Sequence, residues 1–218
     1  MSKKAVVAGA SGLVGSELLT VLSNRAEYGE ITALNRREER YDLPGVSNTV
    51  VDYDRLQKAD FTGADVVFCG LGTTMKKAGS KEAFKKVDFE YVVHLAQRAR
   101  ACNVKTFVVI SADGVSPDSR FFYMRVKGEM EVALKKAGFD KLVIVRPSLI
   151  YGNRKEVRAG EKIAFAVLSF LKPLLMGKLR KFVPVHAVQI ARACADYALS
   201  KPAGTHIINP VDIQSFSK

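Results

Sequence analysis

Six short, nearly all-apolar runs recur along the first two-thirds of the chain: "AVVA" (5–8), "EITALN" (30–35), "NTVVD" (48–52), "ADVVFCG" (64–70), "TFVVIS" (106–111) and "KLVIVRP" (141–147). A strand with one wet face alternates apolar and polar residues, whereas a strand covered on both faces is apolar throughout. Between the runs lie "SELLTVLSNRA", "KEAFKKVDFEYVVHLAQRARAC" and "YMRVKGEMEVALKKAG", with apolar residues three and four apart and Gly138 as a stop after the last. This alternation predicts an α/β fold, a doubly wound parallel sheet with helices on both faces. At 218 residues and 48% hydrophobic, the chain can bury one substantial core, so a single domain over 1–218 is expected. After Arg146 the pattern changes to a helix near 159–176 broken at Pro173, a short "FVPV", a helix at 186–200 and a late "THIIN". Residues 151–185 are too few for a second domain and are expected to form a small cap over the carboxyl edge of the sheet.

The first run leads straight into "GASGLVG". Glycines in a turn after the first strand let backbone amides approach a pyrophosphate, and the helix that follows offers partial positive charge at its N-terminus. Strand before, helix after and position at the start of the chain make this a dinucleotide-binding turn of the Rossmann type, with Gly9, Ser11, Gly12, Leu13, Val14 and Gly15 as candidate contacts. The second run ends in "LNRR". An acidic residue there would hold the ribose 2'-hydroxyl of NAD, whereas arginine accommodates the 2'-phosphate of NADP. Arg36 and Arg37 therefore point to NADP(H), against the plainer alternative that "RREER" is only a polar surface.

"YMRVK" places a Tyr and a Lys one helical turn apart, on one face of a helix. A chain with 7 Tyr and 20 Lys yields such pairs by composition alone, and this one holds three: Tyr123/Lys127, Tyr151/Lys155 and Tyr197/Lys201. Only Tyr123 has a serine twelve residues upstream, Ser111, at the carboxyl end of the fifth run. A tyrosine that works as an acid or base near neutral pH needs its ordinary value near 10 lowered by about 3 pH units, about 4 kcal/mol. One positive charge about 4 Å away supplies about that much at an effective dielectric near 20. Lys127 is the expected source, Tyr123 the expected proton donor to a carbonyl oxygen, and Ser111 the expected hydrogen-bonding partner of that oxygen.

"GASGLVG", Ser111 and "YMRVK", in that order and spacing, resemble the short-chain dehydrogenase/reductase superfamily over essentially the whole chain. The glycine spacing and "RPSLIYG" are most similar to its atypical, extended-like branch. "GLGTTMKKAGSKEAFKKVDFEYV" and "FFYMRVKGEME" resemble, more narrowly, the Tat-interacting-protein oxidoreductase group. The resemblance implies NADP(H) as cofactor and hydride transfer to or from a small carbonyl or alcohol substrate. It implies cofactor contacts at Asp52 and Tyr53, which match positions approaching adenine. Leu71, Gly72 and Thr73 match a loop beside the ribose and pyrophosphate, and Pro147, Ser148, Leu149 and Ile150 match a segment lining the nicotinamide. It also brings a homodimer, a protein partner and a regulatory NADPH-binding role with little turnover within the expectations. Two departures stand out: Ser148 replaces the usual glycine, and the helical asparagine of typical members is not evident, with "KVDFEY" standing where that helix begins.

The net charge of +12 is unevenly spread, with eight basic and two acidic residues between positions 151 and 181. Such a patch suits an anionic substrate, nucleic acid or a phospholipid surface, and equally a solvated face of an amphipathic helix. No helix-turn-helix, zinc-finger or aromatic RNA-binding signature accompanies it, which argues against nucleic acid. The longest apolar stretch, 163–176, is interrupted by Lys172 and Pro173 and falls short of the roughly 18–20 residues a membrane span needs. "MSKKAVVAGA" lacks the apolar length of a signal peptide. Cys69, Cys102 and Cys194 are odd in number and far apart, pointing to reduced thiols and a cytoplasmic protein. His94, His186 and His206 have no Asp or Glu at ligand spacing, so no metal site is expected.

Overall fold

The computed structural model describes residues 2–152, 180 and 182–216. Seven strands form one sheet: β1 (Lys3–Ala8), β2 (Tyr28–Asn35), β3 (Val46–Val50), β4 (Val66–Cys69), β5 (Thr106–Ile110), β6 (Lys141–Val145) and β9 (Gly204–Ile208). Their order is β3-β2-β1-β4-β5-β6-β9, and every adjacent pair is parallel. All six sequence runs are strands, within a few residues of the expected ends. A short parallel pair, β7 (Ile150–Tyr151) with β8 (Val185–His186), stands beside the sheet.

Strand parity builds the two layers. Ala5, Val7, Ile31, Ala33, Val108 and Val143 face α1 (Leu13–Ser23) and α6 (Ala187–Ser200). Val6, Ala8, Leu34, Val67, Phe107, Val109 and Ile144 face α4 (Tyr91–Ala101) and α5 (Phe122–Lys135). Each strand interior is thus buried on both sides, which is why the runs carry no polar alternation. Among the six runs the exception is β3, an edge strand whose five residues are all at least partly exposed, with Val50 55% open; the apolar end of its run misleads about coverage.

Two short helices, α2 (Met75–Ala78) and α3 (Lys81–Lys85), follow β4, and a π-helical turn over Lys86–Glu90 joins α3 to α4 in one continuous run. Helix α7 (Pro210–Ile213) follows β9. The helix expected at 159–176 and most of the expected cap lie outside the described residues. No helix among the described residues is long and apolar enough to cross a membrane.

The chain reverses direction across the sheet between β1 and β4, the switch point at which open parallel sheets bind ligands along their carboxyl edge. Gly9, Arg36, Asp52, Gly70–Thr73, Ser111 and Arg146–Ile150 all leave strands at that edge.

Candidate functional site

The glycine turn is shaped by backbone packing. Gly9 has φ +76°, and a Cβ there would lie 2.6 Å from the Gly70 carbonyl carbon after β4. Gly15, buried in the first turn of α1, brings that helix so close that a Cβ would stand 2.1 Å from the Gly9 carbonyl oxygen. The Gly12 amide donates to that oxygen at 3.0 Å. Gly12 caps α1 with no side chain spent on the helix amides, so the turn presents its N–H groups at a positive helix end, as an anionic pyrophosphate requires. Leu13 packs on the chain after β7, where its Cδ1 lies 3.1 Å from the place of a Cβ on Gly152.

Arg36 and Arg37 are exposed immediately after β2. Asp52 is exposed and its Oδ1 accepts from the Asp54 amide at 2.9 Å. Tyr53 is buried, 3% exposed, and its hydroxyl donates to the Leu34 carbonyl at 2.9 Å. Burial pushes that phenol well above its ordinary range, with the Gly9 amide acting in the opposite direction. Tyr53 therefore stands beneath the glycine turn, with its hydroxyl committed to the Leu34 carbonyl.

The three Tyr/Lys pairs part company in space. Tyr197 and Lys201 close α6, with Nζ 4.9 Å above the ring, toward the amino edge of the sheet. Tyr151 lies in β7 with its ring against His186, and Lys155 is outside the described residues. Tyr123 and Lys127 occupy the first two turns of α5, at the carboxyl edge. Tyr123 is 37% exposed, and its ring packs 5.6 Å from that of Phe84 on α3. Gly128 lets α5 reach this position: a Cβ there would fall 2.3 Å from the Ser116 carbonyl carbon and 2.4 Å from the Pro117 nitrogen. A glycine inside a helix costs about 1 kcal/mol relative to alanine, and here the close approach of two backbones requires it.

Lys127, the expected source of positive charge beside Tyr123, is itself paired. It is 4% exposed, and its ammonium donates to Asp88 Oδ1 at 2.8 Å. Burial lowers the tendency of this ammonium to hold its proton, but the Asp88 charge and hydrogen bond together with Tyr123 outweigh it, and the net direction is upward. Asp88 belongs to the π-helical turn, within "KVDFEY". Its second oxygen accepts from the Thr73 amide at 2.8 Å, which ties it to the Leu71–Thr73 loop.

Ser111 also differs from expectation. Its hydroxyl donates to Glu131 Oε1 at 2.6 Å, and Glu131, 2% exposed, also accepts from Arg146 through Nε at 3.0 Å and through Nη2. The proton expected to reach a substrate oxygen is committed to a buried carboxylate. Strand parity is the cause: Phe107, Val109 and Ser111 point to the same side, beneath α5. Pro147 to Ile150 run along the edge beyond β6, where Ser148 donates to the Val183 carbonyl at 2.7 Å and Leu149 accepts from the Val185 amide at 2.8 Å. Leu149 thus ties this segment to β8, and Ser148 ties it to the residues just before that strand. Each histidine has a local partner: His186 Nδ1 caps α6 by accepting from the Val188 amide, while His94 meets the Tyr53 carbonyl and His206 that of Pro202.

Asp88, Glu131 and Gly128 were not foreseen as site residues. Asp88 falls four residues from buried Phe84 and four from buried Val92, so an acid on the apolar stripe of a helix was the available signal. The same spacing places Glu131 one turn after Lys127.

A family model described as NAD(P)H-binding matches residues 9–163, from the glycine turn past α5 and β6. The chain belongs to that NAD(P)H-binding family. Among relatives of this NAD(P)H-binding protein, Protein HTATIP2 of Rattus norvegicus is 37% identical over 170 residues, covering 75% of the chain and 69% of the relative. Protein FMP52, mitochondrial, of Candida albicans is 33% identical over 204 residues, covering 88% and 86%. The relationship to the Tat-interacting-protein group is therefore one of sequence, not only of motifs. A solved structure of MoeE5 in complex with UDP-glucose and NAD superposes with a TM-score of 0.71 at 18% identity, over 94% of this chain and 75% of that one, and so shares the fold. The cytoplasmic placement is corrected by the second relative, which is named mitochondrial. Free thiols carry no address.

Proposed function

We propose that this NAD(P)H-binding protein is an NADP(H)-dependent oxidoreductase of the atypical short-chain dehydrogenase/reductase type, acting on a small carbonyl or alcohol. The observation that carries this reading is Tyr123 and Lys127, one turn apart on α5 and beside the loop that follows β4, at the same sheet edge as the glycine turn. In this reading the Gly9–Gly15 turn holds the pyrophosphate and Arg36 with Arg37 the 2'-phosphate. Asp52 borders the adenine, Leu71 to Thr73 the ribose and pyrophosphate, and Pro147 to Ile150 the nicotinamide. Bound NADPH supplies the hydride. Tyr123 gives its hydroxyl proton to the carbonyl oxygen as that oxygen gains negative charge. Lys127 stabilises the phenolate left behind and holds ribose hydroxyls, and Glu131 keeps Ser111 fixed at the end of β5.

A second reading, an NADPH-binding regulatory protein with little turnover, draws support from two of the contacts. The Ser111 proton is given to Glu131, and the Lys127 charge is countered by Asp88. The two readings separate in one assay. Purified protein is offered NADPH with a broad panel of aldehydes and ketones, alongside Tyr123→Phe. The enzyme reading expects turnover in the native protein, its loss in the variant and nearly equal NADPH affinity in both. Turnover that survives the substitution rejects Tyr123 as the proton donor, and binding without turnover across the panel favours the regulatory reading.

A further inference from the structure

The Asp88 carboxylate is 1% exposed and has two donors, one on each oxygen. One is the ammonium of Lys127 and the other the backbone amide of Thr73, both at 2.8 Å. Gly72 closes over this contact, since a Cβ on it would lie 3.3 Å from Asp88 Oδ1 and 3.8 Å from Lys127 Nζ. A carboxylate accepts from two donors at once. A carboxamide in the same place would turn its NH2 toward one of them and leave that donor buried and unmatched.

We propose that Asp88 is a positioning residue that clamps Lys127 to the Leu71–Thr73 loop, so that the lysine and the cofactor loop are held in register as one unit. This rests on the reading of Lys127 and that loop as NADP(H) contacts. The π-helical turn serves the clamp by inserting an extra residue into the helical run at the point where Asp88 turns inward. The groups that face Lys127 are Asp88 from the π turn, Tyr123 from its own helix and Cys69 from β4. Burial is already the largest single influence on the ammonium, and without Asp88 less is left to oppose it, so the ammonium discharges at lower pH.

A four-member cycle tests the clamp: native, Asp88→Asn, Lys127→Met, and both together, with NADPH affinity measured by fluorescence titration. In the native background Asp88→Asn should weaken NADPH by about ten-fold or more; in the Lys127→Met background it should cost less than about two-fold, because the asparagine oxygen then serves the single remaining donor, Thr73. The Asp88→Asn protein should also lose affinity with rising alkaline pH over a range where the native profile is flat. Equal losses in both backgrounds, or no loss in either, overturn the proposal. Hydrogen exchange at the Thr73 amide gives a readout without cofactor: fast in Asp88→Ala and slow in the double variant. Slow exchange in Asp88→Ala overturns the clamp even if NADPH does not bind. A native protein that fails to bind NADPH refutes the cofactor reading, and the Thr73 amide then decides the clamp alone.

Discussion

Replacing Gly15 by alanine separates the cost to the fold from the cost to the site. The added Cβ would stand 2.1 Å from the Gly9 oxygen, 2.8 Å from the Gly9 carbonyl carbon and 2.9 Å from the Ala10 Cα. All three are backbone atoms, so no side chain can rotate away. Since such contacts do not fall below 3.0 Å, the turn must retreat by about 1 Å to recover van der Waals distance. For the fold, a helix gain of about 1 kcal/mol offsets overpacking of about 1–3 kcal/mol, leaving at most about 2 kcal/mol of destabilisation. For the site, amides moved by about 1 Å carry hydrogen bonds from about 2.9 Å out of range. Losing two bonds to a charged pyrophosphate, at about 1.5–3 kcal/mol each, weakens NADPH by more than about 100-fold. Thermal unfolding and NADPH titration on the same preparation are the assay. A folded Gly15→Ala protein that binds NADPH within about three-fold of native would refute the account of the turn. Gly12→Ala, whose Cβ would meet the Gly9 oxygen at 3.1 Å, should have a far smaller effect.

Gly128→Ala should destabilise the protein by about 1–3 kcal/mol despite its better helix propensity, because the Ser116–Pro117 backbone blocks the methyl; a raised melting temperature would contradict this. Burial pushes the Cys69 and Cys194 thiols up to about 12, so Ellman's reagent at pH 8 should modify Cys102 first and leave these two unmodified until the protein unfolds. The ammonium of Lys127 is held above its ordinary range, so its contribution to stability is complete below about pH 10.4 and is lost as pH rises through the higher folded value. Urea unfolding at pH 8 and pH 11 should therefore show a smaller alkaline loss in the Asp88→Asn, Lys127→Met double variant than in the native protein.

Much of the fold was legible because burial on both faces leaves an unmistakable apolar run, and five of the six runs are interior strands. The sixth, β3, shows the limit: adjacent Val50 and Val51 read like part of an interior strand, yet Val50 ends an edge strand and stands open to solvent. The glycine turn was legible because its demands are steric and local, with Gly9 needing a positive φ and Gly15 needing no side chain. Pairwise chemistry was less so. Tyr123 and Lys127 lie on one helix face, as their spacing requires, but the partner that claims the Lys127 charge sits 39 positions upstream, in a π turn that no periodicity announces. Ser111 was more readable than its role suggested, since strand parity with Phe107 and Val109 already directs it under α5. The basic stretch after Tyr151 falls largely outside the described residues, and no contact among the others bears on its partner.

The central claim is that this sheet edge binds NADP(H) and selects it by the 2'-phosphate. Calorimetric titration of the purified protein with NADPH and NADH tests it most directly. Micromolar NADPH binding, about −8 kcal/mol, with at least about ten-fold weaker NADH and a difference erased in Arg36→Ala, is the predicted result. Equal affinity for the two cofactors, unchanged by Arg36→Ala, or no binding of either at millimolar concentration, would contradict it.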